Sequence, residues 1–344
     1  MTDNNDPMLT LLRLNPGKWQ WSRAIRSFVC IGVPFAFGYA AGDIMTGMWI
    51  AMGCLMMITG ESSGSYRSIY SKIIISAPLG ALGYLLGYLG SLPWSVVIVC
   101  MMLVGFASVL LSDRSRALSI GTLQTLLLAS ISLGVPAITP FWEPAVLYLV
   151  GAAFYAIILS IEVLIRGWHA KDDPDDVDSK YVKHATVAAS LPIAFAFAVC
   201  LGAAYSFHWL NHSAHWFWVP LTVGLVMKPD FGSIRDRAVQ RIIGTLGGVF
   251  IGALALAFIP KGLPLILTMS LLAGILPWAM QRSYVLQAVF LTPLILMLVD
   301  IISPGTHDMN YGMQRLIDTG IGGIIVILFG FLPLKYMQSE ARNM

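Results

Sequence analysis

Long apolar runs follow one another along almost the whole chain, and they restrict the folds that it can adopt. The runs are rich in Leu, Ile, Ala and Gly; 57% of all residues are hydrophobic and only 11% are charged. A soluble core of this size could not bury so many apolar side chains, so we predict an integral membrane protein. Because the runs lack the period-2 alternation of a membrane β-barrel strand, we predict that they are α-helices.

Twelve runs are predicted to span the membrane, six in each half of the chain. Several are near the lower length limit for a spanning helix, about 17 residues. The predicted spans are 25–41, 46–59, 72–90, 92–111, 117–134 and 144–165 in the first half, and 185–206, 216–228, 238–259, 263–280, 284–302 and 315–334 in the second.

The distribution of lysine and arginine predicts the orientation. These residues are concentrated in one set of alternate segments, whereas the other set holds only Lys261 and Arg315. By the positive-inside rule, both termini are predicted to be cytoplasmic in a bacterial inner membrane. The polar stretch from Met1 to Gln20 does not resemble a cleavable signal peptide, so the first span is predicted to be its own insertion signal.

The second half repeats polar residues of the first at an offset of 168 positions. Since each half has an even number of spans, both halves are predicted to insert with the same orientation, as parallel repeats around a pseudo-two-fold axis along the membrane normal. The matching residues include Gly64, Ser65, Arg67, Arg114 and Ser115 in the first half, and Gly232, Ser233, Arg235, Arg282 and Ser283 in the second.

A short acidic linker separates the predicted repeats. It contains the run Lys171–Asp178, which lacks the central glycine and final glutamate of an EF-hand, so we predict a solvated connector and no calcium site. The predicted division is a cytoplasmic N-terminal segment at 1–22, the first six-helix repeat at 23–166, the linker at 167–182 and the second six-helix repeat at 183–344.

Arginines at the predicted cytoplasmic end are the candidate substrate-binding residues. Around a shared axis, Arg67 would face Arg235, with Arg114 and Arg282 at the next turn, and guanidiniums near helix N-termini form good anion sites. The alternative is that each arginine only marks topology and pairs with lipid phosphates. The candidates are Arg67, Arg114, Arg235, Arg237, Arg241 and Arg282.

Small residues form a stripe below two of these arginines. Arg237 and Arg241 share one helical face with three glycines, which predicts close helix packing beside two guanidiniums. The predicted helix-packing residues are Ser76, Gly80, Gly244, Gly248 and Gly252.

Asp318 lies about one turn inside the last predicted span, three residues after Arg315. A carboxylate there costs about 2.5–3.5 kcal/mol unless it is paired or faces water. Two interpretations stay open, a structural pair with Arg315 and a role as the proton-coupling residue. Trp49, Trp216 and Trp218 likewise have two interpretations, an interfacial belt and stacking of an aromatic substrate.

Several stretches resemble the fusaric acid resistance and aromatic acid exporter family (FUSC-like). The resemblance implies an inner-membrane exporter of small aromatic or other organic carboxylates. It also implies similarity of the six-helix unit to plant aluminium-activated malate transporters, which are anion channels. The stretches are Trp216–Val223, Pro229–Ser233, Arg237–Gly248 and Arg315–Gly320, with a weaker version in Gly47–Trp49 and Gly64–Arg67.

We therefore predict a transporter that exports small organic anions through a central basic pathway between the repeats. The alternatives are a passive anion channel and a non-transporting membrane subunit of an efflux assembly. Predicted partners are the organic anion and membrane lipids; a periplasmic adaptor protein and a homo-oligomer stay open, and no nucleic acid is predicted.

No enzymatic activity, metal site or cofactor is predicted. HExxH does not occur. The cysteines lie inside apolar spans without CxxC spacing, so packing is their predicted role. They are Cys30, Cys54, Cys100 and Cys200.

Overall fold

The computed structural model describes residues 14–61, 64–135, 140–168, 187–210, 215–227, 234–302 and 310–336. Within these ranges the regular elements are helical. The α-helices are α1 (Trp21–Ala40), α2 (Ile44–Gly60), α3 (Tyr66–Leu85), α4 (Trp94–Ser112), α5 (Arg116–Gly134), α6 (Glu143–Arg166), α7 (Val187–Ser206), α8 (Trp218–Val226), α9 (Ile234–Phe258), α10 (Leu263–Arg282), α11 (Tyr284–Ile302) and α12 (Asn310–Ile325).

Eight of these helices are long and apolar enough to cross a membrane, namely α3 to α7, α9, α10 and α12. Helices α2 and α11 are shorter but apolar. An all-helical membrane protein is thus confirmed, whereas the count of twelve spans stays a prediction. The acidic run Lys171–Asp178 and the repeated residues Gly232 and Ser233 lie outside the described residues.

The repeated serines start helices. Ser115 caps α5 by accepting a hydrogen bond from the Leu118 amide (3.1 Å), and Ser283 caps α11 by accepting one from the Leu286 amide, also at 3.1 Å. Ser65 caps α3 in the same way. A side-chain oxygen at this position satisfies an amide that has no partner inside the helix. The sequence repeat therefore marks equivalent helix starts.

Helix pairs of the first half recur in the second. α3 packs against α5 as α9 packs against α11, and α2 packs against α6 as α8 packs against α12. Between the halves, α1 packs against α10 and α7 packs against α4, which are again corresponding pairs. This is the pattern that two parallel repeats would produce, although the repeat architecture itself stays a prediction.

Glycines set the closest helix approaches. A Cβ at Gly244 would lie 2.5 Å from the Ala288 Cβ, and one at Gly248 would lie 2.7 Å from the Thr292 Cβ. These positions, with Gly252, hold α9 against α11. Such close contact needs a residue without a side chain.

Ser76 and Gly80 lie in the corresponding helix of the first half. The Ser76 Cα would be 3.1 Å from a Cβ at Gly121, which brings α3 against α5. Gly80 instead faces the Tyr148 ring of α6. The two halves thus use the stripe of small residues in partly different contacts.

Candidate functional site

A cavity of about 570 Å³ lies between the two halves of the protein. Its walls come mainly from α2 and α5 and from their counterparts α8 and α11. Corresponding residues of the two halves, such as Leu123 and Leu291, line it together. A cavity at the meeting of two related units is a common place for a ligand site.

The middle of the cavity is mostly apolar, with Thr122 and Gln124 as polar residues on the α5 wall, and one end is polar and charged. The apolar wall includes Met52, Leu55, Leu127, Leu221 and Ile295. At the far ends of α5 and α8, the lining becomes Ile131, Val135, Phe217 and Trp218. The cavity is therefore divided into an apolar body and a polar end.

The polar end lies where helix ends predicted to be cytoplasmic converge. Arg116 and Tyr284 are the first residues of α5 and α11, and Glu61 follows the last residue of α2. Arg23, near the start of α1, and Gln287 complete this end. The cavity thus has two arginines and one carboxylate at a single end.

A buried ion network formed by the first half of the chain lies next to the polar end of the cavity. Glu61 contacts Arg23 (Nε to Oε1, 3.2 Å) and Arg26 (Nη2 to Oε2, 2.5 Å). Arg26 also pairs with Glu162, and the Tyr155 hydroxyl donates to Glu61. The Arg23 and Arg26 side chains are only 4% and 2% exposed. Two arginines are thus balanced by two carboxylates, as buried charges require.

The second half has a buried basic cluster in a different place. Arg237 and Arg241 of α9 are buried beside Tyr284. Arg315 of α12 is also buried, and its guanidinium carbon lies 5.2 Å from the centroid of the Trp218 ring. Trp218 and Tyr284 line the cavity, so the cluster lies one side-chain layer behind the cavity wall.

Asp318 is the carboxylate of this basic cluster. It is 1% exposed and lies near Arg315, but the two side chains form no ion pair among the described residues. Its Oδ2 atom has no hydrogen-bond partner there. The structural pair considered for these residues is therefore only a loose electrostatic contact.

The six candidate arginines fall into three groups, and none of them lines the cavity. Arg67, Arg114 and Arg235 are exposed, and Arg282 packs on the Trp278 ring with a guanidinium-to-centroid distance of 4.9 Å. The remaining two, Arg237 and Arg241, belong to the buried cluster. Their roles in substrate binding stay predictions.

The arginines that line the cavity, Arg23 and Arg116, were not among the candidates. Arg116 stands two residues after the repeated arginine Arg114, and no repeat signal marks it. Glu61 directly follows an apolar run, which is an uncommon place for an unpaired carboxylate and was the one available signal. Its partners Arg23 and Tyr155 come from distant helices, so the network was not visible in the sequence.

The fold and the cavity define a multi-pass, all-helical membrane protein. Residues 188–329 match the family model for fusaric acid resistance protein-like proteins. The resemblance predicted from the sequence is thereby confirmed over most of the second half.

Curated relatives match less than half of the chain. Inner membrane protein YccS of Escherichia coli is 29% identical over 160 residues, which are 44% of this chain and 22% of YccS. An uncharacterized protein of Synechocystis is 29% identical over 140 residues, 39% of this chain and 18% of that protein. The uncharacterized membrane protein YvaC of Bacillus subtilis is 29% identical over 136 residues, 39% of this chain and 22% of YvaC. The matched region thus spans about a fifth of each relative, and no solved structure matches this chain.

Proposed function

We propose that this protein exports small organic anions, in particular aromatic carboxylates, through the central cavity. The observation that carries the proposal is the division of the cavity into an apolar body and an arginine-bearing end. An aromatic carboxylate has the same division, an apolar ring and a charged group. Ligand sites commonly combine apolar walls with a few placed polar groups.

Charge near the cavity supports an anionic substrate. Among the described residues, arginines outnumber carboxylates on and directly behind the wall, and their field is weakly screened where water is scarce. Such a field favours anions over cations. The arginines are Arg23, Arg26, Arg116, Arg237, Arg241 and Arg315, and the carboxylates are Glu61, Glu162 and Asp318.

Flux into proteoliposomes tests this proposal. We expect uptake of hydroxybenzoate, and weaker uptake of malate because the apolar wall offers few partners for its second carboxylate and hydroxyl. Arg116→Gln should lower hydroxybenzoate flux at least tenfold. Arg114→Gln is the matched control, because Arg114 is exposed and does not line the cavity. Equal losses of flux in both variants would mean that the exposed arginines, and not the cavity arginine, act in substrate binding. Transport of cations alone would overturn the proposal.

The substitution Asp318→Asn distinguishes a proton-coupled carrier from a passive channel. In a carrier that uses this carboxylate, Asp318→Asn abolishes the response to an imposed proton gradient while the protein still inserts. In a passive channel, neither protein responds to the gradient. A non-transporting subunit would show no flux in either form, and arginine-to-alanine changes would then affect only complex formation.

A further inference from the structure

Hydrogen-bond donors without acceptors gather at the junction of α8, α9, α11 and α12. Arg241 and Arg315 are 1% and 0% exposed, and none of their side-chain nitrogens has an acceptor in hydrogen-bonding geometry within the described part of the chain. The Trp218 Nε1 and the Thr245 hydroxyl are also without a partner there. Buried donors normally have partners, and a buried charge without one is costly.

The helix register brings these donors to one level of the structure. A Cβ at Gly312 would lie 2.6 Å from the Val249 Cγ1, and one at Gly323 would lie 3.7 Å from the Ile242 Cδ1. α9 and α12 are therefore antiparallel, which places Arg315 close to the level of Thr245, one turn from Arg241. The two arginines are near enough for their charges to repel.

Neighbouring groups do not supply the missing negative charge. The Tyr284 hydroxyl donates its proton to the Leu225 carbonyl (3.1 Å), and its oxygen can accept from Arg241, but a neutral hydroxyl does not balance the guanidinium charge. Arg315 contacts the face of the Trp218 ring, with its guanidinium carbon 5.2 Å from the ring centroid, and an aromatic face does not replace a hydrogen-bond acceptor. Among the described residues, Asp318 is the one carboxylate near Arg241 and Arg315, whereas the ion network of the first half has a carboxylate for each arginine. Within that part of the chain, Arg241 and Arg315 therefore carry excess positive charge in a buried place.

We propose that this cluster binds a small anion, a halide or the carboxylate group of an organic anion. Arg241 and Arg315 would hold the anion, and Thr245 and Trp218 would provide further donors. Guanidinium groups are strong donors to anions, and a bound anion would offset their repulsion. Full burial of both arginines favours a compact ligand. The two arginines lie behind the cavity wall and do not line the cavity, whereas Trp218 is part of that wall.

Thermal unfolding of the purified full-length chain in detergent tests the site without any measurement of transport. A ligand that binds only the folded protein raises the unfolding temperature in a saturable way. We expect chloride to raise it relative to a bulky sulfonate buffer anion, which is neither a halide nor a carboxylate, at equal ionic strength, with benzoate as a second arm. Protection by chloride alone would identify a halide. Because benzoate is also of the class proposed for the cavity, protection by benzoate identifies a carboxylate at this cluster only if it persists in Arg116→Gln and is lost in Arg315→Gln.

Single substitutions show which residues are responsible for the rise of the unfolding temperature with anion. Arg315→Gln and Arg241→Gln should each weaken the apparent anion affinity at least tenfold. Arg235→Gln is the matched control, because Arg235 is exposed on the same helix as Arg241, and it should keep the full effect. Thr245→Val removes one donor at nearly constant shape and should weaken affinity severalfold if the arginine variants do not fold. Lack of protection by either anion, or equal loss in Arg235→Gln, would overturn the proposal whether or not transport is observed.

Discussion

Glu61→Gln should strongly destabilise the protein, because this substitution removes the carboxylate that joins two buried arginines. In the native protein Glu61 contacts Arg23 at 3.2 Å and Arg26 at 2.5 Å, and its side chain is 4% exposed. A glutamine has one oxygen and turns an amide donor toward groups that are themselves donors. Arg26 would then keep Glu162, and Arg23 would have no carboxylate partner among the described residues.

The expected magnitude follows from these contacts. A hydrogen bond to a charged group contributes roughly 1.5–3 kcal/mol, and removing one partner of a buried ion pair costs about 3–5 kcal/mol. Since Glu61 serves both arginines, we expect Glu61→Gln to lower the free energy of unfolding by about 3–5 kcal/mol. Equilibrium unfolding in mixed detergent micelles measures this difference.

Two further variants make the test specific. Glu162→Gln should cost less, because Arg26 keeps Glu61 and only the contacts with Arg26 and Tyr66 are lost. The double variant Arg23→Met with Glu61→Gln should be more stable than the sum of the two single changes predicts, by at least about 1 kcal/mol, because it leaves one fewer unpaired charge. Additive effects, or a change below about 1 kcal/mol in Glu61→Gln, would refute the reasoning.

Three other predictions concern packing, pH and the cavity. Gly151→Ala should destabilise by about 1–3 kcal/mol, since its Cβ would collide with α2, whereas Gly320→Ala, with nothing within 4 Å, should be neutral or stabilising in the same unfolding assay. Burial lowers the pKa of His215, so the unfolded chain takes up the proton first, and stability should fall as the pH drops below about 6.5; His215→Gln should reduce this fall. Leu291→Trp should fill the cavity and block flux, while Leu267→Trp, at an exposed position, should not.

Helix α9 shows how much of the side-chain placement could be predicted from the sequence pattern. The spacing of Arg241 with Gly244 and Gly248 predicted a shared face, and that face is buried against α11. The same pattern leaves Arg235 off that face, and Arg235 is exposed, but it could not show which helix the face packs against. Which residues of a helix are buried depends on the neighbouring helices, and for a single helix the sequence states only the angular positions.

The sequence by itself determined the helical membrane class, the positions of the apolar helices and the repeated helix starts at Ser115 and Ser283. These properties depend on local hydrophobicity and on capping, which act within a few residues. Only the tertiary structure decided that Glu61 meets Arg23 and Arg26, and that Arg241 and Arg315 are buried without a balancing ion pair among the described residues. Those groups come from helices far apart in the chain, and their burial and pairing arise only when the helices pack together.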